Sequence, residues 1–93
     1  LNDAQFRALF TKSPVKRTGR DRFIRNALIA IGNSGDASLA DEAKRLLDDA
    51  SPLVRGAAVW ALSRLLERDE VVGLKNENEE DESVREEWVA ATA

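Results

Sequence analysis

The chain repeats one short pattern at intervals of 30 residues, and this repeat constrains the fold more than any other feature of the sequence. FIRNALIAI, LVRGAAVWA and SVREEWVAA align so that an arginine takes the same position in each, at Arg25, Arg55 and Arg85. A period of about 20–50 residues is typical of proteins in which helical units stack, because no single unit can bury its apolar face alone. The sequence therefore predicts an all-α solenoid of short helix pairs, with about three units in a right-handed superhelical stack.

Each repeat also carries a helix-capping residue four positions before its arginine. Asp21, Ser51 and Asp81 stand at these positions, and their side chains can accept hydrogen bonds from the N–H groups of a first helical turn. Pro52 follows at the first helical position, where its missing N–H costs nothing. We therefore expect a helix to begin at the same point of each unit.

Shorter helical segments are predicted between the repeated helices. Residues 36–50 carry an apolar stripe at helical spacing behind a capping residue, Asp36, and residues 71–81 predict a weaker helix or a loop. Gly32 or Gly35 suits the left-handed turn before Asp36. The helix of the second repeat is apolar on more than one stripe, so we expect it to contact neighbours on two sides.

The recurring arginines call for local acceptors, because a cation in a first helical turn opposes the helix dipole. We interpret them as a ladder between repeats that pairs arginine with carboxylates near the helix starts. This structural role is assigned to Arg55 and Arg85, with Asp21, Asp49 and Asp81 as the acids. Arg25 also belongs to a cluster of basic residues and fits the ladder less well.

Charge is distributed unevenly along the chain. The net charge is −3, yet residues 11–25 hold six basic residues and one acid, and residues 67–87 hold ten acids and three basic residues. The basic cluster consists of Lys12, Lys16, Arg17, Arg20, Arg22 and Arg25. We expect its first four members in a loop and the last two on the first turn of the following helix. Because arginine and lysine bind phosphate, the cluster predicts a nucleic-acid contact that positions a backbone without reading its sequence.

Other interpretations of these charged and aromatic residues stay open. The basic cluster could form a solvated helix face, or it could dock an acidic protein or another part of the same protein. The acidic run at residues 76–82 is expected to be solvated and would repel RNA. Trp60 and Trp88 are expected to pack between repeats rather than to stack on a base.

Composition excludes most catalytic chemistry within this chain. Cysteine and histidine are both absent, which excludes disulfides, iron–sulfur ligation and imidazole bases. The clustered carboxylates lack apolar walls that would shift their pKa values. No catalytic, metal-binding or cofactor-binding residue is therefore predicted. No apolar run approaches the roughly 20 residues of a membrane span, and no signal peptide is seen, so we expect a cytoplasmic protein without membrane contact.

DDASPLVRGAAVWALSRL resembles the short HEAT-like repeats. SPVKRTGRDRFIRNALIAIGNSG, followed by one such repeat, resembles the C-terminal region of the epoxyqueuosine reductase family. The Ser-Pro with its trailing basic residues and the Arg-Asn leading to Gly-Asn carry this second resemblance. It implies that residues 1–93 form a single HEAT-like domain, a C-terminal fragment of a larger oxidoreductase.

The resemblance also implies a function. Members of the family reduce epoxyqueuosine to queuosine at the wobble position of tRNA, with cobalamin and 4Fe–4S clusters held in an N-terminal catalytic portion. This chain would be a non-catalytic module that binds the tRNA anticodon stem-loop and contacts the catalytic domain of the same protein. The alternative is a protein–protein interaction module whose basic loop is the docking surface.

Overall fold

The structure is a computed structural model that describes residues 17–93. Its elements are α1 (Arg17–Ser34), a 3-10 turn (Ala37–Leu39), α2 (Ala40–Leu46), α3 (Pro52–Leu65), α4 (Arg68–Leu74) and α5 (Glu82–Thr92). Every regular element in this range is helical, which confirms the all-α prediction. No helix between residues 17 and 93 combines the length and the apolarity that crossing a bilayer requires.

Helix α3 is the centre of the stack. It packs against α1 on one side and α5 on the other, while α2 lies across α1 and α3, and α4 lies across α3 and α5. The pairs α2–α3 and α4–α5 therefore follow one another beside α1, as in an α-solenoid. The prediction that the helix of the second repeat contacts neighbours on two sides is confirmed.

The hydrophobic core consists of two clusters, one on each side of α3, and α3 contributes residues to both. Val54, Ala58 and Leu62 of α3 pack in a first cluster with Ile24 and Leu28 of α1. The second cluster joins α3 to the next helix pair and consists of Val59, Val71, Val84 and Trp88. Each fully buried aliphatic side chain contributes about 1.5–3 kcal/mol relative to exposure, so both faces of α3 stabilise the stack.

The predicted caps have three different outcomes. Asp81 caps α5, since its carboxylate accepts from the Val84 N–H at 3.1 Å. Ser51 precedes α3 as predicted, but its side chain makes no capping hydrogen bond. The prediction for Asp21 is wrong: the helix already includes Arg17, so Asp21 lies inside α1, where it is buried.

The helical start of α1 also corrects the predicted basic loop, because Arg17 and Arg20 lie on the helix instead. Its other end meets a turn at Gly35, whose φ of +68° lies in the left-handed region that favours glycine. Asp36 then caps only the 3-10 turn, through the Ser38 N–H at 3.0 Å. The long helix predicted over residues 36–50 is therefore divided.

Candidate functional site

The basic cluster lies partly outside the described residues. Lys12 and Lys16 precede them, and of Arg17 only the helical position within α1 is described. Arg22 is exposed on α1, whereas Arg20 and Arg25 are half-buried. These three arginines of α1 therefore have different surroundings.

Arg20 is engaged with carboxylates of the same chain. Its Nη2 donates to Asp49 Oδ1 at 2.7 Å, and its Nη1 donates to Asp49 Oδ2 at 3.3 Å and to Asp21 Oδ1 at 2.9 Å. These hydrogen bonds, above all the one to Asp49, raise the pKa of Arg20 further above its ordinary value. Arg20 therefore ties α1 to the segment that precedes α3.

Arg55 forms the corresponding link between the second and third units. Its Nε and Nη2 donate to the two oxygens of the Glu79 carboxylate at 3.0 and 2.9 Å. Its Nη1 also donates to the backbone carbonyls of Asp49 and Ala50. The hydrogen bond with Arg55 is the largest cause of the lowered pKa of Glu79, as expected for a bidentate, charge-assisted pair.

This arrangement differs from the ladder expected from the sequence. The carboxylate that binds Arg55 belongs to Glu79, which is only 7% exposed although it lies in the run predicted to be solvated. Asp21 and Asp49 accept from Arg20 instead. Arg85 is exposed and makes no ion pair with any residue between 17 and 93.

The two acids that hold the units together are themselves one repeat apart. Asp49 accepts from the backbone N–H of Ser51 at 3.0 Å, and Glu79 accepts from that of Asp81 at 3.1 Å. Each acid therefore binds the start of the following helix and an arginine of the preceding one. The arginine that binds Glu79 is Arg55. The residue equivalent to Arg55 one repeat earlier is Arg25, but the arginine that binds Asp49 is Arg20.

Arg25 is consequently left with an incomplete set of partners. Its Nη2 donates to Asn26 Oδ1 at 3.2 Å. Its Nε is buried and has no hydrogen-bond partner within residues 17–93. Such an atom is uncommon, because an unpaired buried donor costs about 1–3 kcal/mol.

Arg25 lines a groove of about 490 Å³ between α1, α3 and α5. The floor is formed by residues of α3 such as Gly56 and Trp60, and the walls come from α1 and α5. The lining residues are Arg25, Ile29, Asn33, Pro52, Leu53, Gly56, Ala57, Trp60, Ser83 and Glu87. Sequence reasoning missed this groove, because its floor and walls come from three helices that lie about one repeat apart along the chain.

The two tryptophans have different positions relative to this groove. Trp88 is 2% exposed and packs in the second core cluster. Trp60 is half-buried at the groove, with Gly32 of α1 directly against its ring. The Arg64 guanidinium lies 6.0 Å from the centre of the Trp60 ring, at the limit of a cation–π contact.

The described part of the chain provides no metal centre. Between residues 17 and 93, no three histidine, cysteine, aspartate or glutamate side chains come together as a metal-binding group. Of the arginines between residues 17 and 93 that form no ion pair, Arg22 is exposed on α1 and Arg25 lines the groove.

Comparison with known proteins gives a family match and two partial relatives. A family model described as HEAT repeats matches residues 16–93. An "uncharacterized protein in gldA 3'region" of Geobacillus stearothermophilus is 30% identical over 92 residues, which cover 96% of this chain and 43% of that protein. An epoxyqueuosine reductase of Alicycliphilus denitrificans is 34% identical over 71 residues, which cover 68% of this chain and 20% of that protein. The chain thus spans less than half the length of either relative, and no solved structure matches it.

Proposed function

Since this chain belongs to the HEAT repeat family, we propose that it is the non-catalytic, tRNA-binding module of a larger epoxyqueuosine reductase. The observation that carries the proposal is the 34% identity with such a reductase over 71 residues. The ligand of the module would be the anticodon stem-loop of the tRNA, held against the catalytic domain of the same protein. As expected from the sequence, the protein would work in the cytoplasm.

The charges at the start of α1 support a phosphate contact. Arg22 is exposed on the second turn of α1, and the first turn contains no acidic residue. The partial positive charge of a helix start favours a phosphate placed near it. We assign the phosphate contacts to Arg22 and to the basic residues before it, which are Lys12, Lys16 and Arg17.

The other two basic residues have different roles in this proposal. Arg20 fixes α1 to Asp49 and thereby holds the contact surface against the rest of the solenoid. Arg25 faces the groove on α3. About four cations are then available for phosphate, which is enough to position an RNA backbone without reading its sequence.

The residues of this chain do not suit the cofactors of such a reductase. Thiolates are the usual ligands of 4Fe–4S clusters, and the chain has no cysteine. We therefore assign the clusters and the cobalamin, together with the catalysis, to other parts of a longer protein.

The proposal is tested by titrating a fluorescently labelled anticodon stem-loop with the protein at several salt concentrations. Four phosphate contacts predict a log–log salt slope of roughly −3 to −4, at about −0.7 to −0.9 per contact. Arg22→Glu should weaken binding and make the salt slope shallower by about 0.7 to 0.9, the contribution of one phosphate contact. Arg85→Glu is the matched control, because Arg85 is also exposed on a repeated helix but lies in the acidic half of the chain.

The proposal fails if no binding is detected at about 50 mM salt with protein near 100 μM, since non-specific dissociation constants are about 10⁻⁴ to 10⁻⁶ M. It also fails if Arg85→Glu weakens binding as much as Arg22→Glu does. The alternative is a module whose basic segment docks an acidic protein surface. In that case the Arg22→Glu variant would lose binding to the acidic partner domain instead of to RNA.

A further inference from the structure

The loop before α3 contains one residue, Asp49, that contacts arginines of two different helices. Its carboxylate accepts from Nη2 of Arg20 on α1 at 2.7 Å. Its backbone carbonyl accepts from Nη1 of Arg55 on α3 at 2.9 Å, and Arg55 binds Glu79 of the third unit through its Nε and Nη2. These four residues therefore form a continuous hydrogen-bond path from α1 to the loop before α5.

Both ion pairs on this hydrogen-bond path are shielded from solvent. The side chain of Asp49 is 9% exposed and that of Glu79 is 5% exposed. Charge-assisted hydrogen bonds are about twice as strong as neutral ones, and a carboxylate at this depth that loses its arginine is left as a buried, unpaired charge. The orientation of each group on the path therefore depends on its partners in the protein rather than on water.

The hydrogen-bond path joins two units that are not adjacent. In stacked helical repeats each unit contacts only its neighbours, so the stability is approximately a sum of terms for single units and for adjacent pairs. Here α1 and α5 each pack against α3. The path adds a connection beyond adjacent pairs, because a single residue carries both contacts: Arg20 holds the Asp49 carboxylate and Arg55 holds the Asp49 carbonyl. A movement of this residue changes both contacts at once.

We propose that Asp49 is a joint that couples the first unit to the third, so that loosening one of these units weakens the other. When Glu79 is removed, the Arg55 guanidinium loses its fixed orientation and no longer holds the Asp49 carbonyl. The loop before α3 then relaxes, and the Asp49 carboxylate binds Arg20 less tightly. Because a coupling free energy is reciprocal, loss of Arg20 weakens the pair of Arg55 and Glu79 by the same factor. A ligand that stabilises either end of the stack therefore also stabilises the other end.

Two backbone amides report on the two ends of the hydrogen-bond path. The Ser51 N–H donates to the Asp49 carboxylate at 3.0 Å, and the Asp81 N–H donates to the Glu79 carboxylate at 3.1 Å. Their proton resonances can be measured by NMR in the full 93-residue chain. Glu79→Gln should shift the Ser51 resonance, although the two residues belong to different units. Arg20→Gln should in turn shift the Asp81 resonance.

Matched variants separate this coupling from a general effect of charge. Glu80→Gln removes an exposed acid next to the path and should leave the Ser51 resonance unchanged. Arg22→Gln removes an exposed cation of α1 and should leave the Asp81 resonance unchanged. Both control residues are exposed, and neither forms an ion pair with another residue between 17 and 93.

A double-mutant cycle measures the size of the coupling. Arg20→Gln, Glu79→Gln and the double variant are each unfolded in urea. If the two ion pairs were independent, the losses in the folded-to-unfolded ratio would multiply to within about twofold. We expect the double variant to lose about threefold to tenfold less than this product. In an Asp49→Asn background, which removes the carboxylate that Arg20 binds, the coupling should fall to within about twofold. Arg20→Lys, which keeps the charge and loses the bidentate contact, replaces Arg20→Gln if that variant does not fold.

Three results would overturn the proposal. The first is a Ser51 resonance that responds to Glu79→Gln no more than to Glu80→Gln. The second is a double variant whose loss equals the product of the single losses. The third is a coupling that persists in the Asp49→Asn background, since it would then not pass through the Asp49 carboxylate. The outcome is independent of the RNA titration above, because neither measurement involves RNA.

Discussion

Replacing Gly32 by alanine should destabilise the protein, although the same change inside a helix is usually stabilising. An added Cβ at Gly32 would lie 2.5 Å from Cζ3 of Trp60, 3.1 Å from its Cε3 and 3.2 Å from the Ala61 Cα. Carbon atoms in good contact are about 3.5–4.0 Å apart. Either the Trp60 ring moves outward, or α1 and α3 separate along their whole contact.

The expected magnitude is the difference between two effects. Overpacking of a well-packed interface costs about 1–3 kcal/mol, and alanine in place of glycine inside a helix returns about 0.5–1 kcal/mol. We therefore expect Gly32→Ala to lower the free energy of unfolding by about 1–2 kcal/mol. For a domain of this size, each kcal/mol shifts the Tm by about 4–8 °C.

Gly56→Ala is the matched control within the neighbouring repeated helix. An added Cβ at Gly56 would meet Glu87 Cγ at 3.7 Å, which is an ordinary van der Waals contact. Only the gain in helix propensity remains, so this variant should raise the Tm by about 2–8 °C. Thermal and urea unfolding followed by circular dichroism would measure both variants.

The cause of the Gly32 effect can be isolated by changing its neighbour. In a Trp60→Leu background the ring that meets the new Cβ is absent, so Gly32→Ala should cost about 1 kcal/mol less than it does with Trp60 present. If Gly32→Ala is neutral or stabilising, or if its cost is the same in both backgrounds, then the close contact of α1 with α3 at Trp60 is refuted.

Three further predictions concern the third unit. Glu79→Gln should lower the free energy of unfolding by about 2 kcal/mol in urea unfolding, because Arg55 loses a mostly buried carboxylate. The exposed neighbour change Glu80→Gln should stay within about 0.5 kcal/mol, and equal effects of the two would contradict the pairing. The pKa values of Glu79 and Asp81 are lowered in the folded protein, so the unfolded chain binds more protons in acid. The contribution of these two carboxylates to the free energy of unfolding is therefore fully present above their ordinary pKa values of 4.5 and 3.8. It is lost as the pH falls through the lower pKa values of the folded protein. Urea unfolding between pH 7 and pH 3 should show this loss, and Glu79→Gln should make it smaller. Asp81→Ala should lower the free energy of unfolding by about 1 kcal/mol because α5 loses its cap. Ser51→Ala should lower it little, because the Ser51 side chain makes no capping hydrogen bond. If Ser51→Ala lowers the Tm more than Asp81→Ala does, the cap assignment is refuted.

The sequence predicted the fold well because the fold depends on periodic features. The repeat of 30 residues shows which helices are equivalent, and the spacing of apolar residues shows how many of their faces must pack against other helices. The capping prediction was correct for Asp81 and wrong for Asp21, since a capping residue type is also tolerated within a helix when its side chain has another partner. Asp21 has such a partner in Arg20.

The pairing of charges was much harder to predict. Arg55 has several acids within reach along the chain, and sequence spacing does not show which of them turns inward. Glu79 is selected because its oxygen also accepts from the Asp81 N–H, which places the carboxylate under the start of α5. That selection depends on the backbone of the loop, and composition gave the opposite expectation of a solvated acidic run.

The same pairing decides which arginines remain available for a ligand. Asp49 is one methylene shorter than Glu79, and it is bound by Arg20 rather than by Arg25, which lies at the position equivalent to Arg55. One arginine of α1, Arg20, is thereby used to join the units, whereas Arg25 lines the groove and forms no ion pair with a carboxylate between residues 17 and 93. Removing Arg20 should therefore loosen α1 from the segment before α3, whereas removing Arg25 should cost the fold much less.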